Sequence, residues 1–158
     1  MAERDIDILV GTTKGLFLIG GGPDRGGWSV RGPFCDGWPV NHAIGDPQTG
    51  MIWAGGGSDW HGAGVWRSED GGETWQVTRL SRGKLDDWAA NDADFAAMIG
   101  WTPAELPFGD QISQIWSLGR AGDRLHAGTK PASLLSSDDG GASWARNQAL
   151  ADHPSSGS

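Results

Sequence analysis

The 158-residue sequence has no tyrosine, a single cysteine and few basic residues, and each shortage removes a class of function. Cys35 alone excludes an intrachain disulfide and any multi-cysteine metal site. Four scattered histidines show no ligand spacing, so neither a metal nor another cofactor is expected. Twelve Lys and Arg against twenty Asp and Glu leave a net charge of −8. A nucleic-acid partner needs a basic patch and an anionic membrane a polybasic surface, and neither is present. No apolar run approaches the ~20 residues that span a bilayer. The charged opening Met1–Asp5 also lacks the apolar core of a signal peptide. The expectation is a soluble, cytoplasmic chain with no nucleic-acid or membrane partner.

What is abundant is glycine, 27 residues, and tryptophan, 10 residues. Short glycine-punctuated segments with a recurring aromatic point to an all-β repeat architecture. The repeat is visible directly. Ser68-Glu69-Asp70-Gly71-Gly72-Glu73-Thr74-Trp75 returns as Ser137-Asp138-Asp139-Gly140-Gly141-Ala142-Ser143-Trp144. A short carboxylate accepts turn N–H groups, glycine supplies positive φ, hydroxyls bond locally to the backbone, and the Trp buries a large ring. The structural set is therefore Ser68, Asp70, Gly72, Thr74 and Trp75 with Ser137, Asp139, Gly141, Ser143 and Trp144. A shorter, degenerate copy surrounds Asp24 ahead of Trp28.

Taken in order, the chain divides at these turns. A first unit at about 6–32 holds three strands. A second at about 42–80 and a third at about 112–148 hold four each, and a tail follows at 149–158. In the second unit Met51–Gly55 reads as a strand, and Gly56–Gly64 as a loop. Asp70 and Asp139 lie further apart than Asp24 and Asp70, and the surplus falls in an insertion at about 83–108. There Leu85, Trp88, Phe95 and Ile99 fit one face of a helix of three or four turns, with Asp87 and Asp94 pointing away.

The two octamers resemble the Asp-box, or BNR repeat, of sialidase-like β-propellers, and the resemblance extends over most of the chain. It includes Leu9-Val10-Gly11-Thr12-Thr13-Lys14-Gly15-Leu16-Phe17 and the stretch from Trp28 to His42. It implies blades of four antiparallel strands, with the box capping the hairpin between the third and fourth. The fold expected is an incomplete β-propeller of about three four-stranded blades with one short helical insertion. Propellers close with four to eight blades. The chain thus reads as an amino-terminal portion whose remaining blades lie in cis or come from other copies. The resemblance also suggests a glycan-directed, glycosyl-hydrolase-like protein. The three-arginine and tyrosine machinery of sialidases is not carried over, because the chain has no tyrosine and Arg31 and Arg67 fall inside strands.

Blade geometry sorts the longer loops onto one end and the boxes onto the other, and rigid scaffolds carry function on loops. The loop end gathers Asp36 and Asp59 as candidates for an acid/base pair, or as turn-capping carboxylates. Trp38 and Trp60 offer flat faces for a sugar or a protein, or else seal gaps between blades. His42, His61 and Lys130 complete the candidate ligand-binding set. Gly55-Gly56-Gly57 and Gly62-Ala63-Gly64 precede no Lys-Ser/Thr and no helix, so they are not a phosphate loop. The expected partner is a glycan, or in the alternative a protein bound by a non-catalytic scaffold.

Overall fold

The computed structural model describes residues 5–154. Strand makes up 43% of the structure and helix 13%. Strands β1 (Ile6–Thr12), β2 (Gly15–Gly21) and β3 (Ser29–Phe34) form the first antiparallel sheet, in the order β1-β2-β3. Strands β4 (Val40–Gly45), β5 (Ile52–Ser58), β6 (Gly62–Ser68) and β7 (Gln76–Arg79) form the second. Helices α1 (Lys84–Asn91) and α2 (Ala93–Ile99) follow. Strands β8 (Gln114–Ala121), β9 (Arg124–Lys130), β10 (Leu134–Ser137) and β11 (Ala145–Arg146) form the third sheet, and α3 (Gln148–Ala151) comes last. Each sheet is a meander in which every strand pairs with its sequence neighbour.

The sheets stack in chain order, and the second is covered on both sides. One apolar cluster joins Leu16 and Leu18 to Val40, Ile52, Ala54 and Trp66 across the first seam. The other joins Trp53, Val65 and Leu80 to Ile115, Leu118, Leu125, Leu135 and Trp144 across the second. Strand β5 therefore departs from the one-face-in alternation of a surface strand, with six of its seven residues buried. Its run Ala54-Gly55-Gly56-Gly57 is small because neighbours approach from both sides. A Cβ at Gly11 would stand 2.6 Å from the Val40 carbonyl oxygen, and one at Gly55 would stand 2.6 Å from Ile115 Cγ2. In the first two sheets this glycine is where the first strand of the next sheet sits.

The same crowding corrects one expectation. Gly56 to Gly64 is not a loop. Strand β5 runs on to Ser58 and β6 begins at Gly62, leaving a tip of three residues, because the Gly57 N–H pairs with the Pro39 carbonyl at 3.0 Å. The second unit also starts earlier, at Val40, and β8 extends to Ala121. The insertion is two helices rather than one. Asp92 breaks it in an extended conformation (φ −137°, ψ 101°), and its side chain caps α2 by accepting the Phe95 N–H. The side of α1 buried against the protein carries Asp86 and Ala89, while Trp88 and Ile99 stay exposed. An ion pair made by Asp86, described below, rotates the helix that way.

Both octamers fold as the same knot of hydrogen bonds. Ser68 Oγ donates to Asp70 Oδ1 at 2.8 Å and accepts the Gly72 N–H at 2.8 Å. Thr74 gives its N–H to Asp70 Oδ1 at 2.8 Å and its hydroxyl to Oδ2 at 2.6 Å. The Trp75 indole donates to the Gly72 carbonyl at 3.0 Å. Ser137, Asp139, Gly141, Ser143 and Trp144 repeat all five bonds. Around Asp24 only the Gly26 N–H is held, since the hydroxyl partners are missing. Each complete knot is also tied to the sheet before it. Arg31 pairs with Glu73 at 2.8 Å and donates to the Gly71 carbonyl at 3.1 Å. Trp53 donates to the Gly140 carbonyl at 2.8 Å, and Thr78 to that of Gly141 at 3.0 Å.

Two outcomes are expected. Gly55→Val forces a branched side chain onto Ile115 and Leu118, and should destabilise the fold by about 1–3 kcal/mol, read as a lower denaturation midpoint. The Thr74 and Ser143 hydroxyls and N–H groups, with the Ser68 and Ser137 hydroxyls, hold the Asp70 and Asp139 carboxyls down to about 2. Depressed carboxyls stabilise the fold above the unfolded value of about 3.9 and lose that contribution as pH falls through the folded value. The contribution of these two carboxyls should thus be level above about pH 5 and decline from about pH 4 towards pH 2. Asp70→Asn should flatten that decline in pH-dependent thermal melts; an unchanged slope would sink this assignment.

Candidate functional site

Strand direction places the boxes at one end of the stack and the β5–β6 and β9–β10 connections at the other. Backbone hydrogen bonds weld the loops of that second end into one surface. Lys84 and Leu85 donate to the Asp59 and Trp60 carbonyls at 2.8 and 3.0 Å, seating α1 on the β5–β6 tip. Arg82 donates to the Gly109 carbonyl at 2.6 Å, and Ser113 to that of Lys130 at 2.7 Å. The loop between the first two sheets joins through Pro39, and there Cys35, Asp36 and Gly37 all take positive φ.

The anchor of this surface is Asp86, only 7% exposed. Its Oδ2 meets Arg79 Nη2 at 2.6 Å and accepts the Gly83 N–H at 2.9 Å, while Oδ1 accepts the Trp101 indole N–H at 2.9 Å. Burial pushes the carboxyl up, but the Arg79 hydrogen bond, the Gly83 N–H, Trp101 and the Arg79 charge outweigh it and hold it below its ordinary value. The sequence carries a faint signal for this role, an acid three residues after the helix-capping Gly83. Nothing in it names Arg79 or Trp101 as the partners.

Beside this anchor lies a cleft of about 550 Å³, lined by Asp59, Arg82, Lys84, Asp87, Asp110 and Ile112, among others. The size is ordinary for a small-ligand site of about 300–1,000 Å³. Arg82 and Lys84 form no ion pair among the described residues, and both are exposed. A smaller cleft of about 290 Å³ adjoins it and shares Arg82 and Asp87. A cleft of about 640 Å³ at the box end runs along the first seam, lined by Leu9, Leu18, Met51 and Ile52 with Asp5, Asp7 and Asp46. Asp46 there is committed to Arg120, at 2.8 Å.

The expected residues separate on this geometry. Asp59 lines the loop-end cleft, and its acidic companions there are Asp87 and Asp110, while exposed Asp36 is not among the lining residues. Trp38 takes the sealing role, stacked on His61 at 4.8 Å and meeting Trp66 edge-on at 5.9 Å. His61 is half-buried, its Nδ1 lies 3.1 Å from Ser58 Oγ, and burial and the Arg79 charge lower its pKa. His42 Nδ1 accepts the Leu118 N–H at 2.9 Å, so this ring ties the second sheet to the third. Asn41 does the same through the Ile115 carbonyl at 2.9 Å. Lys130 is exposed and uses its carbonyl to hold Ser113. Trp60 is 38% exposed and meets Trp88 edge-on. Among the described residues no cluster of His, Cys, Asp and Glu could hold a metal ion. Cys35 is buried, and burial raises its thiol to about 12, which removes it as a nucleophile. No helix is long and apolar enough to cross a membrane among the described residues.

No protein-family model matches the chain, and no curated protein matches it either.

Removing one partner of a buried ion pair costs about 3–5 kcal/mol. Asp86→Ala is expected to destabilise the protein on that scale and to expose residues 84–101 to amide exchange. Exchange confined to the termini would show that the insertion is held by other contacts.

Proposed function

We propose that the three sheets are consecutive blades of an Asp-box β-propeller whose loop end is directed at a glycan. The single observation that supports the glycan reading is the loop-end cleft. Three carboxylates, Asp59, Asp87 and Asp110, stand beside two cations, Arg82 and Lys84, that form no ion pair among the described residues, in a volume suited to a small ligand. Sugar hydroxyls both donate and accept, so a wall mixing carboxylates with cationic donors meets them in either sense. Binding, rather than hydrolysis by this chain alone, is the reading, since the sialidase arginine and tyrosine groups have no counterparts in it.

Support for the propeller comes from the register of the stack. Gly55 pairs with His42, and Gly128 with Ser117, each just past a bulge in the inner strand. Gly11 and Gly55 each receive the inner strand of the next sheet, whereas a Cβ at Gly128 would meet only Ser117 Oγ of its own sheet. A further blade, in cis or from another copy, would take that seat. A protein-binding scaffold is the second reading, favoured by Met98, which lies 75% exposed on α2.

The test is a glycan array probed with the full chain and with Asp59→Asn/Lys84→Ala. The expected result is binding to at least one glycan class, weakened about tenfold or more in the double variant, the equivalent of one lost charged hydrogen bond. Silence across the array would remove the glycan reading and favour the scaffold.

A further inference from the structure

We propose that the cleft at the box end of the first seam binds an aromatic cation, an amine carried on a planar apolar ring. This site stands apart from the loop-end cleft and does not rest on the glycan reading.

The two seams can be compared position by position. Gly11 and Gly55 each receive the first strand of the next sheet, so Leu9, two residues before Gly11, corresponds to Trp53, two before Gly55. His42 and Ser117 pair with Gly55 and Gly128, each just past a bulge, so Gly45 corresponds to Arg120, three residues on. Gly71 of one box corresponds to Gly140 of the other. In the second seam the Trp53 indole lies against the box of the third sheet and donates to the Gly140 carbonyl at 2.8 Å. Arg120 reaches back across that seam to Asp46, also at 2.8 Å. An indole and a guanidinium thus close the box end of the second seam.

In the first seam both are replaced by smaller residues, Leu9 and Gly45, and there the cleft of about 640 Å³ opens. Leu9, Gly45 and Gly71 all line it, and Leu18, Met51 and Ile52 complete its apolar wall. Asp5 and Asp7 line it too; both are exposed, and neither forms an ion pair among the described residues. Asp46, the third carboxylate of the lining, is already held by Arg120. The first seam therefore has an apolar wall and free carboxylates where the second has a ring and a cation as well. A planar ring with a short cationic arm supplies both missing parts. Its ring buries apolar area against the wall, and its ammonium meets Asp5 and Asp7 in charge-assisted hydrogen bonds. An anion of the same shape would meet three carboxylates on a chain of net charge −8.

The experiment titrates the full chain with tryptamine by calorimetry, with indole-3-acetate and propylamine as comparison ligands. Tryptamine is expected to bind. Each comparison ligand lacks either the cation or the ring and should bind about tenfold more weakly or worse, the scale of one charged hydrogen bond or one buried ring. Leu9→Trp gives the first seam the residue that fills the second, and should abolish binding while the denaturation midpoint holds. Should that variant fail to fold, Asp7→Asn changes only an exposed carboxyl and should weaken tryptamine about tenfold. Asp123→Asn, the same change outside the lining of the cleft, should leave binding unchanged. No binding of tryptamine, equal binding of either comparison ligand, or binding that survives both Leu9→Trp and Asp7→Asn overturns the site. Concentration-dependent self-association abolished by Leu9→Trp would assign the cleft to a second copy and overturn it too.

Discussion

The structure depends on the close approach between one sheet's glycine and the first strand of the next sheet. Gly11 leaves room for Val40, and Gly55 for Ile115, at distances no side chain would allow. Stacked sheets ordinarily keep about 10 Å between them and fill the gap with interdigitated side chains. Here β4 and β8 come close to the sheet before them, and the space that remains is filled by Leu16, Leu18, Trp53, Val65 and Leu118. Burial on both faces follows for the second sheet, which is why β5 carries an unbroken run of small residues where a surface strand would alternate.

The box knots and the contacts between β4 and β8 both tie the second sheet to the third. Trp53 and Thr78 reach forward to the Gly140 and Gly141 carbonyls, while Asn41 and His42 reach forward to Ile115 and Leu118. A seam held by two separate sets of bonds cannot easily slide, and the loops beside it inherit that rigidity. The helical insertion is fastened to the same frame by the Asp86–Arg79 pair, a charged contact whose desolvation is offset by two further donors. Precision at the loop-end cleft is therefore a property of the stack and of one buried carboxylate. The lining residues inherit their positions from that frame.

Asp36 and Asp59 show why candidate residues are harder to read than elements. Both stand on loops that the blade scheme sends to the same end, and nothing local distinguishes them. Asp59 lies in the cleft because α1 docks on the Asp59 and Trp60 carbonyls and brings Lys84 and Asp87 with it. Asp36 sits in a tight positive-φ turn and does not line that cleft. Trp38 and Trp60, equal in the sequence, part for a similar reason: one ring meets His61 and Trp66, and the other meets Trp88 of the insertion.

Local hydrogen-bond chemistry and spacing were enough to determine the two boxes, the hairpins they close, the division into three sheets and the presence of a helical insertion. The boxes rest on hydrogen bonds between residues at most four apart, which a sequence displays directly. The extent of β5 and β6, the break at Asp92, the buried role of Asp86 and the corner between Trp60 and Trp88 were decided only in the tertiary structure. Apart from the Asp92 break, which is a local cap, each depends on a partner outside its own turn or helix, such as Pro39 for Gly57, Arg79 and Trp101 for Asp86, and Trp88 for Trp60. A residue's neighbours in space, and hence its burial and its chemistry, are set by packing that no local pattern encodes.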